Sequence, residues 1–380
     1  MIAGGHGSTS VTIVTRLAEF RGWLYAAGMD TTLGCQLWRS QDGKAWDVVV
    51  GPDAATPSGF GDAGNQSVNK LVAFGGWLYA GTWNQLEGAE LWRSQDGVRW
   101  LPVVGGSATT SNGFGKLENS GMTALGVHQG RLWAGTGSLY CKDGVELWVS
   151  SDGALWEPVA GERFALQTAF ARESKYLLDL ISVGGYLYTA SGDQRTGGSE
   201  IWRSQDGQFW EAVVGAPSPY RAGMGNPNHD MIYDLETFSG VLYAAVLDFA
   251  KQGGALWRSP NGTTWEVIVG DPPAKIPAGF GQTGNIGLVS LSVFEDALYA
   301  GVTSEAGAQL WRSDDGMTWR QIVGPDGATP AGFGTGSNRS INCLRVFKGR
   351  LYAGTDNSQD GAELWRLGAS DQPTREPGPR

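Results

Sequence analysis

Leu71-Val72-Ala73-Phe74-Gly75-Gly76-Trp77-Leu78-Tyr79-Ala80-Gly81-Thr82, followed by Glu90-Leu91-Trp92-Arg93-Ser94-Gln95-Asp96-Gly97-Val98-Arg99-Trp100 and Val103-Val104-Gly105-Gly106, decides the fold. It holds four short runs rich in Val, Tyr and Trp (68–74, 77–82, 89–94 and 99–104), separated by Gly-Gly and Asp-Gly turns. Such runs read as strands. The phrase then recurs along the chain. Its opening leucine falls at Leu17, Leu71, Leu125, Leu180, Leu235, Leu291 and Leu344, at spacings of 53 to 56 residues. A fixed period of this length marks a repeat architecture, and no linker separates the units.

Four antiparallel strands per unit and seven units predict an all-β fold, a seven-bladed β-propeller of four-stranded antiparallel blades. The predicted domain is one, spanning 1–366, with 367–380 a polar, disordered tail. The seventh unit loses its second Trp, and Met1–Gly5 resembles the Val-Val-Gly-Gly that closes a fourth strand. The N-terminus is therefore expected to complete the last blade and remove an exposed edge.

The third and fourth runs predict a hairpin. Trp38 and Trp46 lie eight apart around Asp42, and the same spacing returns at Trp92/Trp100, Trp148/Trp156, Trp202/Trp210, Trp257/Trp265 and Trp311/Trp319. That symmetry suggests a three-residue loop ending on a left-handed glycine (Gly43, Gly97, Gly153, Gly207, Gly262, Gly316), with the tryptophans opposite each other and filling the space between blades. Recurrence also assigns these turns to structure, the aspartate bonding its own turn backbone. Gly-Phe-Gly at 59–61, 113–115, 279–281 and 332–334 is read as loop-shaping, since no helix follows it as phosphate binding would need.

Over roughly residues 11–366, the Ser-x-Asp-Gly-x-x-Trp turns resemble the Asp-box of sialidase-type propellers, one residue shorter than its usual form. The whole unit is similar to bacterial propeller repeats of the Leu-Tyr-Ala-Gly-Thr kind. The resemblance implies the fold and hardly any activity. The Arg-Ile-Pro motif of sialidases is missing, so their catalytic role is not carried over.

Composition agrees with a turn-rich, aromatic core: 59 glycines and 17 tryptophans in 380 residues. The net charge of −10, with dispersed Lys and Arg, argues against nucleic acid as a partner. No apolar stretch is long enough to span a membrane. Met1–His6 lacks the basic flank and apolar run of a signal peptide, and the compartment stays open, export within a longer precursor included. Three cysteines (Cys35, Cys141, Cys343) make no disulfide framework. His6, His128 and His229 fall in different units, so a multi-histidine metal site is not expected; no cofactor is identified, and calcium held by carbonyls and carboxylates stays open. A monomer is expected.

Function is sought where the symmetry breaks. Within each unit the loops from the second to the third run, and from the fourth run to the next unit, open on one face and are the long, variable ones. Six residues before the opening leucine stand Asn65, Asn119, Asn285 and Asn338, but Ser174 and His229 before units four and five. There Gly-Phe-Gly gives way to Ala169-Phe170-Ala171 and Gly223-Met224-Gly225. In its place come Arg172, Glu173, Lys175, Tyr176, Tyr220, Arg221, His229 and Asp230, joined from neighbouring loops by Asp193, Arg195, Asp248 and Lys251. Asp179 and Asp234 occupy equivalent places in adjacent units, and Trp83 sits on a long loop. Two functions follow. One is a binding or scaffold propeller recognising a glycan, peptide or small molecule, with Glu173, Lys175, Asp179, Asp193, Arg195, Tyr220, Arg221, Asp234, Asp248 and Trp83 as ligand contacts. The other is a hydrolase or lyase acting on a sugar-like or anionic substrate through His229, Asp230, Arg172 and Tyr176.

Overall fold

The computed structural model describes residues 10–138, 144–161, 174–192, 197–282, 284–368 and 373–375. In the first repeat, strands Val11–Phe20, Trp23–Asp30, Gln36–Ser40 and Asp47–Val50 pair antiparallel in chain order. Among the described residues the same four-strand group follows six more times, ending with Ser340–Phe347, Arg350–Asp356, Leu364–Leu367 and Pro373–Arg375. The fold is a β-propeller.

The fourth strand of the last group corrects one expectation. Pro373–Arg375, inside the expected tail, pairs with Leu364–Leu367 and takes the fourth-strand place there, while Met1–Gly5, expected to fill it, lie outside the described residues. Arg375 is fixed there by a 2.7 Å ion pair to the buried Glu363, and Thr374 donates to the Arg366 carbonyl. The N-terminal strand meets repeat seven elsewhere: Ile13 pairs with Asp356, and the amides of Asn357 and Ala362 donate to the carbonyls of Thr12 and Val11.

The hairpin register is also corrected. Trp38 lies opposite Val48 and Arg39 opposite Asp47, which leaves Trp46 beyond the ladder. The cause is the turn itself. The amides of Lys44 and Ala45 donate to Asp42 Oδ1 at 2.8 and 2.9 Å, and that of Gly43 to Ser40 Oγ. These bonds absorb Ser40 to Trp46 into a self-contained loop, longer than three residues. The same set recurs around Asp96, Asp152, Asp206 and Asp315, and around Asn261 for its two amides. Turn amides hold the Asp42 carboxyl below its usual pKa, and the amide of Thr318 leads in drawing Asp315 down to about 2.

Two compact units divide the contacts: residues 1–84, 92–101 and 289–380 in one, and 85–91 with 102–288 in the other. In the first, Trp92 and Trp100 pack with Phe20, Tyr25, Leu37 and Phe60, filling the space between repeats one and two. Trp38 and Trp46 do the same against Phe347 and Tyr352 of repeat seven. In the second, Trp257 and Trp265 pack against Tyr188 and Ile201 of repeat four. The second-strand tyrosine also explains the turn glycine. A Cβ on Gly43, Gly97 or Gly262 would collide with the hydroxyl of Tyr352, Tyr25 or Tyr188, each from the preceding repeat.

Gly-Phe-Gly shapes a loop as expected. Gly59 and Phe60 are both left-handed (φ 60° and 59°), a conformation that costs a non-glycine residue about 1–2 kcal/mol. Stacking offsets the strain: the Phe60 ring lies 5.0 Å from Trp92, Phe114 4.3 Å from Trp148, and Phe333 4.4 Å from Trp365.

Candidate functional site

The asparagine six residues before the opening leucine of repeats two, three, six and seven anchors a buried network. Asn65, Asn119, Asn285 and Asn338 each donate Nδ2–H to the carbonyl of Gly59, Gly113, Gly279 or Gly332 at 2.9 Å. In repeat three, Asn119 Nδ2 also donates to Glu146 Oε2 at 2.8 Å, and Trp148 Nε1 donates to the same oxygen at 3.1 Å. Thr136 Oγ1 donates to Asn119 Oδ1. Repeat seven repeats the set with Asn338, Glu363, Trp365 and Thr355. Burying a carboxylate is tolerable only with such donors.

Repeat five rewrites this network at three places. His229 replaces the asparagine, Val246 the threonine and Ala255 the glutamate, the last two paired across the strands as Thr136 and Glu146 are. His229 is 2% exposed, and its Nδ1 lies 2.9 Å from the Gly223 carbonyl. A carbonyl accepts only, so Nδ1 carries the proton and makes the bond that asparagine makes elsewhere. Nε2 faces Asn226 Nδ2 at 3.4 Å. The ring is 5.7 Å from Trp257, so the larger histidine lies beside the smaller Ala255. Trp257 Nε1, buried, finds no hydrogen-bond partner among the described residues. His229's main chain is equally committed: Ser199 N–H donates to its carbonyl at 2.7 Å, joining repeats four and five. Burial pushes the His229 pKa below the usual histidine value, against the opposing pull of the Gly223 carbonyl and the Asp271 charge.

Three candidates meet at this corner. Asp248 is the cross-strand partner of His229, and Asp230 Oδ2 accepts the Phe249 amide at 3.0 Å. Asp248 is fully buried, and burial raises its carboxyl pKa; the loop amides of Ala250 and Gln252 pull the other way, and the charges of Asp230 and Asp271 add to the rise. In repeat one the equivalent Asp30 receives the Thr32 and Leu33 amides and Gln36 Nε2; Ala255 replaces that glutamine in repeat five. A carboxyl whose folded pKa is raised contributes stability that is full below its unfolded value and lost as pH rises through the folded one. Asp248→Asn, the residue repeats two and seven carry at this place, therefore raises the thermal midpoint at pH 7, and the gain shrinks toward pH 4. Melting curves of both proteins across that range check this.

The remaining candidates lie apart or serve the fold. Asp179 Oδ2 accepts the Leu235 amide at 3.0 Å, linking repeats four and five. Thr15, Ser290 and Cys343 make comparable links by donating to the Val68, Ile341 and Val14 carbonyls. Tyr176 is buried, its ring against Gly137, where a Cβ would come within 2.7 Å. Lys175 bridges neighbouring strands through its backbone, donating to Gly192 and accepting from Ser138. Tyr220 packs half-buried on the repeat-five core, Asp234 is half-buried, and Arg221 is exposed. Trp83 belongs to the other unit. Arg172, Glu173, Asp193 and Arg195 lie outside the described residues, as do Cys141 and His6. Sequence reasoning missed Asn226 and Asp271, joined at 2.7 Å: Asn226 follows its Gly-x-Gly element where other repeats carry Asp62, Lys116, Gln282 and Thr335, so with no shared residue there it broke no pattern. Among the described residues no group of three or more His, Cys, Asp or Glu is arranged to hold a metal, and no helix is long and apolar enough to cross a membrane.

No protein-family model and no curated protein matches the chain. Solved structures do. A GH74 xyloglucanase from Xanthomonas campestris superposes with a TM-score of 0.61 at 19% identity, over 100% of this chain and 55% of that one. A puromycin hydrolase S511A mutant gives 0.57 at 12%, over 100% and 56%. The β-propeller domain of the Trilobed protease from Pyrococcus furiosus gives 0.53 at 9%, over 96% and 97%. The chain thus spans about half the length of the first two. At these identities the likeness is one of fold.

Proposed function

We propose that the protein is a ligand-binding β-propeller, recognising a glycan, peptide or small molecule through the long loops of repeats three to five. The observation that carries this over the hydrolase reading is the bond between His229 Nδ1 and the Gly223 carbonyl. The one histidine offered as general base is buried in the repeat's own joint. A general base needs hydrogen-bond reach to a substrate proton. What the same loops offer to a ligand is polar and accessible: Arg221 is exposed, and so is Lys251 on its left-handed turn at φ 62°.

A glycan and metabolite binding screen tests the proposal on the wild type, His229→Asn and Arg221→Ala/Lys251→Ala. Asparagine preserves the Gly223 bond, so His229→Asn is expected to fold and to bind any ligand within about threefold of the wild type, well under the tenfold that 1.4 kcal/mol represents. The double variant weakens binding. Turnover of a bound compound that His229→Asn abolishes would establish the hydrolase reading instead.

A further inference from the structure

At the opposite end of the strands, repeat four opens a surface cavity of about 310 Å³ lined by Tyr186, Arg203, Asp206, Phe209, Trp210 and Glu211. The volume sits at the lower end of small-molecule sites, which run from about 300 to 1,000 Å³. We propose that this hairpin-face cavity is a binding site for a neutral saccharide. It does not rest on the long-loop proposal above.

Phe209 is the first observation. It is 72% exposed, at a turn position where the other repeats carry Ala45, Arg99, Leu155, Thr264 and Thr318. The turn does not need its ring. The Phe209 amide is what Asp206 holds, at 3.0 Å, and any residue but proline supplies that amide. Trp210 adds a half-buried ring to the lining, its Nε1–H occupied by the Gly207 carbonyl. Flat, exposed aromatic faces suit the C–H face of a pyranose.

The polar wall narrows the ligand. Arg203 lies 4.2 Å over the Tyr186 ring and donates Nε–H to Glu211 Oε1 at 2.6 Å, which leaves no open cage for a cationic ligand over that ring. Glu211 lines the cavity and stays 59% exposed, and a carboxylate accepts from hydroxyl groups. The Phe209 and Gln208 amides keep the Asp206 carboxyl below its usual pKa and hence ionised. One arginine against two carboxylates leaves a net negative wall, which repels anions. A polyhydroxylated neutral ring, donating to the carboxylates and stacking on Phe209, fits both features.

Titration calorimetry against neutral mono- and disaccharides, at low and high salt, decides the matter. The wild type should bind at least one of them with an affinity that salt does not change, since a neutral ligand has no charge to screen. Phe209→Ala should weaken that binding by about tenfold or more, while Phe209→Tyr retains it and both keep the wild-type melting temperature. Three results would each overturn the proposal: no saccharide in the panel binds, binding survives Phe209→Ala, or only amines bind and do so salt-dependently.

Discussion

Gly97→Ala melts well below the wild type. The substitution acts twice. Gly97 has φ +73°, a left-handed conformation that costs an L side chain about 1–2 kcal/mol. The new Cβ would also fall within the van der Waals envelope of the Tyr25 hydroxyl, and Tyr25 is fully buried between repeats one and two. Overpacking of this kind costs about 1–3 kcal/mol more. Gly22→Ala separates the two contributions: φ is +76° there, but nothing lies within 4 Å of the new methyl. Thermal denaturation should rank the proteins wild type, Gly22→Ala, Gly97→Ala, in falling order. Equal losses at the two positions would mean that the tyrosine lock between repeats contributes nothing.

Asn119→Ala has the second large effect, through polarity rather than volume. One side chain serves the Gly113 carbonyl, the Glu146 carboxylate and the Thr136 hydroxyl. Its loss takes from Glu146, 1% exposed, the closer of the two donors on Oε2, at 2.8 Å against 3.1 Å for the Trp148 indole. Breaking one partner from a buried charged network costs roughly 3–5 kcal/mol. Chemical denaturation should show that loss, and Asn119→Ala/Glu146→Gln should recover part of it, because the amide no longer buries a charge.

The fold was largely legible because each structural device is written several times. Trp92/Trp100, Asp96-Gly97 and Asn65 all have counterparts in other repeats, and a pattern present in most repeats identifies a shared physical need. Register escaped: the aspartate's bonds to its own turn backbone were expected, but the eight-residue Trp spacing could not show that they lengthen the loop past Trp46. The last strand escaped too, since Pro373–Arg375 owes its place to the Glu363–Arg375 ion pair, a contact with no sequence periodicity. At the candidate site, departure from the repeat located a corner where His229, Asp230 and Asp248 do meet. Departure alone did not reveal what His229 does there. The ring reproduces a hydrogen bond that sequence comparison of Asn with His hides, and Asp179, offered by the sequence as a ligand contact, likewise links strands through the Leu235 amide.

His229 stands in for asparagine, as a neutral ring donating from Nδ1 to the Gly223 carbonyl. With three histidines in the chain, side-chain ¹⁵N and ¹³C NMR can follow it directly. The expected result is an Nδ1–H tautomer that stays neutral as pH falls through 6.5, the usual histidine value. An Nε2–H tautomer, or a ring that protonates at or above 6.5, would contradict it.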